Sequence, residues 1–239
     1  MGSEIKKRDV TAVQELVREK KEAVLSRCKE NVIGRGTAYS QSRFWYVSLD
    51  CLLTTQQRAA PGYPVPRFLS LDPFPLALQH CRNSNVNTLV RRTLKAFGGI
   101  RFYTNIADFA HHNLEWLERE GWTEIKRQYE VLARQRDKTP LLSHSAAEKA
   151  AGQFVDDHLK GFGPKQARNL WQLLALTRYQ IPLDSRVSKW INKNLSFEVD
   201  AGRLISASYY ESVHSRIAEI CYEADVLPCL FDAAAFNYK

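Results

Sequence analysis

Between Lys160 and Val187 the chain reads KGFGPKQARNLWQLLALTRYQIPLDSRV, and several of these residues have chemistry to offer. Gly161 and Gly163 flank Phe162 directly before Pro164. Glycine tolerates positive φ and brings no side chain to keep an anion away from its backbone N–H. Proline suits the first position of a helix. The amides after it stand at a helix N-terminus, where dipole and hydrogen bonding together attract phosphate. Lys160 and Lys165 add positive charge on either side of the turn. The same pattern also serves as a glycine C-cap joining two core helices, and the basic flanks favour the phosphate reading over that one.

The helix opened by Pro164 is expected to bury Ala167, Leu170, Leu174 and Thr177, at i, i+3, i+7 and i+10. Lys165 then lies in the first turn, free to project away from the core. Nineteen residues later, Asp184 follows Ile-Pro-Leu and opens another helix. As an N-cap such an aspartate contributes about 1 kcal/mol, a role that does not exclude chemistry. A lysine amine with the reference pKa of about 10.4 is mostly protonated at neutral pH and cannot attack carbon. A helix N-terminus and desolvation disfavour the ammonium form, whereas a nearby carboxylate favours it.

Bulk composition sets the context. The chain has 239 residues, 44% hydrophobic and 25% charged, ordinary for a folded protein with a sizeable core. Lys and Arg number 34 against 26 Asp and Glu, a net charge of +8, with a pI near 9.3. That surplus favours a polyanionic partner, nucleic acid first. Cys28, Cys51, Cys81, Cys221 and Cys229 are odd in number and widely spaced, so reduced thiols are expected rather than a disulfide frame, structural zinc or an iron–sulfur cluster. The six histidines form no metal-binding pattern, and no metal or other cofactor is expected. With no signal-peptide core and no run of eighteen apolar residues, the chain is expected to be soluble, intracellular and cytoplasmic, with no membrane partner.

The elements that must position these residues are helical throughout; no alternating strand run is found. Expected helices cover 9–31, 43–57, 74–82, 85–97, 103–119, 122–135, 143–159, 164–178, 184–194, 208–225 and 229–235. Prolines at 61, 64, 66, 73 and 75 predict an irregular connector between the second and third of these. The fold class is all-α, with a central block over 42–194 and a second lobe made by 1–41 and 195–239 together.

The Gly161 to Ala167 stretch with Asp184 resembles the helix-hairpin-helix signature of the endonuclease III-like DNA glycosylase superfamily, closest to its 8-oxoguanine DNA glycosylase/lyase branch of archaeal type. The family pattern is G-[hydrophobic]-G-x-K-x-A followed by a buried aspartate, and the Lys165–Asp184 separation matches that branch. CLLTTQQ (Cys51 to Gln57) is similar to the family segment that fills the hole left in the duplex. GIRFYTNIADF (Gly99 to Phe109) is similar to the RFY helix of the archaeal-type enzymes. These matches span roughly residues 44–190 in the expected order.

The resemblance implies a monomeric, two-lobed enzyme with its active-site cleft between the lobes, acting on double-stranded DNA that contains a modified base. It assigns Lys165 as the nucleophile that forms a Schiff base and Asp184 as the carboxylate that stabilises charge on the sugar. Gly161, Phe162 and Gly163 would grip phosphate, Gln56 would fill the gap behind a flipped base, and Arg186 would contact phosphate. Asn169 stands where mammalian-type enzymes place a cysteine against the base, and Phe236 and Lys239 are candidates for the rest of the base pocket. Arg91, Arg92, Lys95 and Arg101 would add to a basic face, while Trp45, Trp171 and Trp190 are expected mainly in the core. The favoured substrate is 8-oxoguanine. The altered pocket also fits a bulky non-canonical base, such as a hypermodified cytosine of phage DNA, which would make the enzyme antiviral. A non-catalytic helix-hairpin-helix DNA-binding module is the reading from another class, and it would not require the Lys165/Asp184 pair. A helical interaction protein without a nucleic-acid role is a third.

Overall fold

The computed structural model describes residues 4–34, 38–55, 57 and 62–238. Among them every regular element is helical: α1 Lys7–Glu19, α2 Lys21–Arg27, α3 Gln41–Thr54, α4 Pro64–Leu69, α5 Leu78–Arg82, α6 Val86–Phe97, α7 Tyr103–Trp116, α8 Trp122–Arg136, α9 His144–His158, α10 Pro164–Leu173, α11 Ser185–Asn194, α12 Ala207–Glu223 and α13 Pro228–Phe236. Wide π turns follow α2 (Cys28–Ile33) and α7 (Leu117–Gly121), and a 3₁₀ turn, Ala201–Ile205, precedes α12. None of these helices is long and apolar enough to cross a membrane.

Four elements differ from expectation, one of them the helix expected over 74–82, which spans only Leu78–Arg82. The first helix breaks at Lys20, where ψ turns to 36°. The proline-rich connector contains α4, because Pro64 takes the first helical position and Pro66 the first turn, where no amide hydrogen is needed. Helix α10 stops at Leu173 rather than near 178, since Ala175 adopts a left-handed φ of 59°.

The chain divides into two compact units, one of Met1–Gly36, Val131–Gln153 and Gly163–Lys239, the other of Thr37–Glu130 and Phe154–Phe162. Residues 131–153 and 163–194, expected in a central block, thus group with both terminal segments. The first unit closes around Val13, Leu16, Val187, Trp190, Ile217 and Phe231. Fully buried Asp9 stitches its N-terminal helix to a distant loop, accepting from Ser196 N at 2.9 Å and Ser196 Oγ at 2.6 Å. In the second unit Phe44, Trp45, Leu49, Phe68 and Leu94 are buried, and Phe68 meets Phe74 and Phe97 edge-on.

Candidate active site

The hairpin is fixed by backbone bonds and by contact. Lys160 N donates to Asn113 Oδ1 at 2.7 Å, and Asn113 Nδ2 donates back to Lys160 O at 3.0 Å, so a buried amide on α7 holds the turn from both sides. Gly161 has φ +80°, and a Cβ there would lie 2.4 Å from Phe109 Cδ2 and 2.7 Å from Leu52 Cδ2. Dihedral and space both demand glycine. The resemblance groups Phe162 with the phosphate contacts, yet the residue is only 9% exposed and belongs to the core. Gly163 differs again. It is extended (φ −125°, ψ −176°) at the N-cap of α10, and a Cβ there would meet nothing within 4 Å. The fold does not ask for glycine at 163.

Helix α10 has two faces. Ala167, Leu170, Trp171 and Leu174 are buried on one. Lys165, Arg168, Asn169 and Gln172 share the other, at helical spacing. Lys165 Nζ donates to Gln166 Oε1 at 3.3 Å, and Asn169 Nδ2 approaches the same oxygen at 3.5 Å. Asp184 caps α11 as the sequence predicts. Its Oδ1 accepts from Arg186 N at 2.8 Å and Val187 N at 3.0 Å, leaving Oδ2 for the Arg186 guanidinium at 2.9 Å. That guanidinium lies 3.4 Å from the centroid of the Phe236 ring on α13. The carboxylate is thus held from its own helix while Arg186 bridges it to the C-terminal helix.

A second carboxyl joins them, one that the sequence did not single out. Asp232 on α13 is buried, accepts from Gln172 Nε2 at 2.6 Å and lies 3.8 Å from Arg27 Nη2. Burial pushes its pKa up to about 6; the Arg27 cation and the Gln172 amide oppose that rise, the charge of Asp184 adds to it, and that of Lys165 opposes it. Lys165 on α10 and Asp184 at the cap of α11 thus both lie within electrostatic range of Asp232 on α13. The only sequence signal was an aspartate amid an apolar C-terminal helix, FDAAAF.

This all-helical chain has counterparts among solved structures. The 8-oxoguanine DNA glycosylase of Methanocaldococcus jannaschii is 16% identical, with a TM-score of 0.60 over 93% of this chain and 89% of that one. The 8-oxoguanine glycosylase/lyase of the same organism, in complex with a 15mer DNA containing 8-oxoguanine, gives a TM-score of 0.62 at 16% identity, covering 95% and 94%. The 8-oxoguanine DNA glycosylase of Thermotoga maritima gives 0.59 at 15% identity, covering 95% and 93%. The chain has the 8-oxoguanine DNA glycosylase fold. No protein-family profile and no curated protein matches the sequence itself.

Within this glycosylase fold the remaining candidates are distributed unevenly. Gln56 and Lys239 lie outside the described residues. Trp45, Trp171 and Trp190 are all buried, whereas Phe236 is 41% exposed, so among these aromatics Phe236 has a face to offer. Arg91, Arg92, Lys95 and Arg101 are exposed on the second unit. There Arg101 N donates to Gln57 Oε1 at 2.6 Å. Next to it Phe102 stands exposed with a left-handed φ of 57°, the Arg101 guanidinium 4.9 Å from its ring. A hollow of about 560 Å³ on the first unit is lined by Ser185, Ser188, Lys189, Asn192, Lys193 and Asp200, among others, with neither Lys165 nor Asp184 in its wall.

Proposed function

We propose that the protein is a DNA glycosylase with lyase activity, in which Lys165 attacks the sugar of a flipped, modified nucleotide and Asp184 stabilises the charge that develops there. The observation that carries this reading is a chain with the fold of 8-oxoguanine glycosylases in which Lys165 stands in the first turn of α10, Asp184 caps α11, and both lie within electrostatic range of buried Asp232. A DNA-binding module needs neither the amine nor the carboxylate at those places.

The chemistry follows from the groups. Cleaving the bond between base and anomeric carbon builds positive charge on the sugar, and a preorganised carboxylate lowers the energy of that state. Asp184 is suited to this because two backbone amides and one guanidinium fix its orientation. The lone pair of Nζ forms the new bond to the anomeric carbon, while the departing base takes the electrons of the old one and picks up a proton. Opening the sugar ring gives the Schiff base. Loss of a 2′ proton then expels the 3′ phosphate and nicks the strand.

Phosphate recognition falls to the amides at the start of α10, with Gly163 leaving room beside them, and to Arg186. Phe236 and Asn169 border the base. 8-Oxoguanine is the proposed substrate.

The deciding experiment is borohydride trapping on duplexes carrying 8-oxoguanine and a panel of other modified bases. Native protein should give a covalent adduct, Lys165→Gln none, and Asp184→Asn an adduct only where the base has already been removed. An adduct that survives Lys165→Gln would overturn the nucleophile assignment. Base release without a nick would leave a glycosylase that lacks the lyase step.

A further inference from the structure

We infer that Arg168 and Tyr210 form a strut that sets the separation between Lys165 and Asp184; this rests on the glycosylase reading of those two residues. The segment 174–184 that joins α10 to Asp184 has no helix of its own, so something else must fix where its last residues lie. Tyr210 on α12 does so directly. Its hydroxyl, fully buried, donates to Ile181 O at 2.7 Å and accepts from Leu183 N at 2.8 Å. Leu183 immediately precedes the aspartate. His214, one turn further along α12, accepts from Ile181 N at 3.3 Å; burial and the Arg168 charge push its pKa down to about 4, which keeps that ring nitrogen an acceptor at neutral pH.

Arg168 ties this clamp to the other reactive residue. Three residues after Lys165 and only 3% exposed, it donates from Nη1 to Pro164 O at 2.9 Å, from Nε to Gln180 Oε1 at 3.1 Å, and from Nη2 to Glu211 Oε2 at 2.9 Å. Its guanidinium lies 4.5 Å from the centroid of the Tyr210 ring. One planar group thus touches the turn that carries Lys165, the segment that leads to Asp184, and the helix that clamps this segment. A lysine cannot reproduce that fork, because an ammonium presents its donors from a single point. Burying a guanidinium is costly unless its partners are in place, and here each partner belongs to the frame around the two reactive residues.

Neither residue is catalytic in itself; both are positioning residues, so their effect should separate two reactions. Excision of an intact base needs the amine and the carboxylate at their proper distance. Capture of a preformed abasic site needs only the amine, because the aldehyde is already electrophilic. Tyr210→Phe and Arg168→Lys are therefore measured in two assays: single-turnover excision from the modified duplex that the native chain cleaves best, and borohydride capture on an abasic duplex. The expected result is an excision rate at least ten-fold lower with abasic capture within two-fold of native. Parallel loss of both reactions would mean general loosening and overturn the inference, as would unchanged excision in both variants. A native chain that excises nothing from the panel removes the glycosylase reading, and one that excises but forms no abasic adduct removes the Lys165 nucleophile; either result takes this inference with it.

Discussion

Gln172 Nε2 donates to Asp232 Oδ2 at 2.6 Å, so the polar face of α10 that begins with Lys165 ends on a buried carboxyl of the C-terminal helix. Burying a carboxyl costs stability wherever it must ionise.

Asp232→Asn should separate stability from activity. The folded carboxyl titrates near 6 against an ordinary value of 3.8, so its stabilising contribution is complete below about 3.8 and is lost as pH rises to 6. At pH 7.5 the native chain bears the whole cost. The neutral amide should raise folding stability by up to about 3 kcal/mol. Excision, in contrast, should fall at least ten-fold. Calorimetry at pH 7.5 alongside single-turnover kinetics checks both halves.

Glu148 predicts a pH slope of folding. Buried at 3% exposure, its carboxyl accepts from Arg178 N at 2.8 Å and Tyr179 N at 2.7 Å. Burial nevertheless raises its pKa to about 8 from 4.5, with the amide bonds and the Arg178 charge opposing. Its stabilising contribution is therefore lost as pH climbs from 4.5 to 8. Below 6.5 the buried His214, lowered to about 4, works in the opposite sense. From 6.5 to 8 Glu148 governs, and denaturant unfolding should show about 2 kcal/mol of stability lost across that range. Glu148→Gln should flatten the slope.

The two hairpin glycines should behave oppositely. Gly161→Ala places Cβ 2.4 Å from Phe109 Cδ2 at a φ of +80° and should cost about 3 kcal/mol of folding stability. Gly163→Ala meets open space and should fold normally. Weaker binding to duplex DNA, read at fixed salt in a titration, is its expected effect. Native affinity in Gly163→Ala would remove the phosphate grip from the start of α10.

Arg186→Ala frees Asp184 Oδ2 and uncovers the Phe236 ring. The side chain is half exposed, so stability should change by less than about 1 kcal/mol. Should Arg186 turn to a phosphate in the complex, the slope of log affinity against log salt would become shallower by about 1. An unaltered slope would confine Arg186 to holding Asp184.

Local signals made the skeleton of the site legible. A glycine turn, a proline at a helix start and an aspartate N-cap are settled by hydrogen bonds spanning two to four residues, and each stands at its expected place: Gly161 with positive φ, Pro164 opening α10, Asp184 bonding Arg186 N and Val187 N. Ala167 and Leu170 on the apolar face of α10 followed from its period for the same reason, whereas Thr177, expected on that face, is buried beyond the left-handed turn at Ala175 where the helix has ended. Where a local rule was applied too broadly it misled. Prolines 64 and 66 begin α4 instead of forbidding a helix, and Phe162 turned inward although its neighbours mark a surface turn.

By itself, then, the sequence determined an all-helical chain, its hairpin, and an amine and a carboxylate each at a helix start, because those features rest on residues close together along the backbone. Only the tertiary structure decided what surrounds them. Asp232 meets Gln172 across 60 residues, Arg168 meets Glu211 across 43, and Tyr210 clamps Ile181 across 29. No periodicity or capping rule links positions so far apart. These partners become neighbours only when separate helices bury a common core, and there the loss of water makes every unpaired polar group costly enough to fix its place.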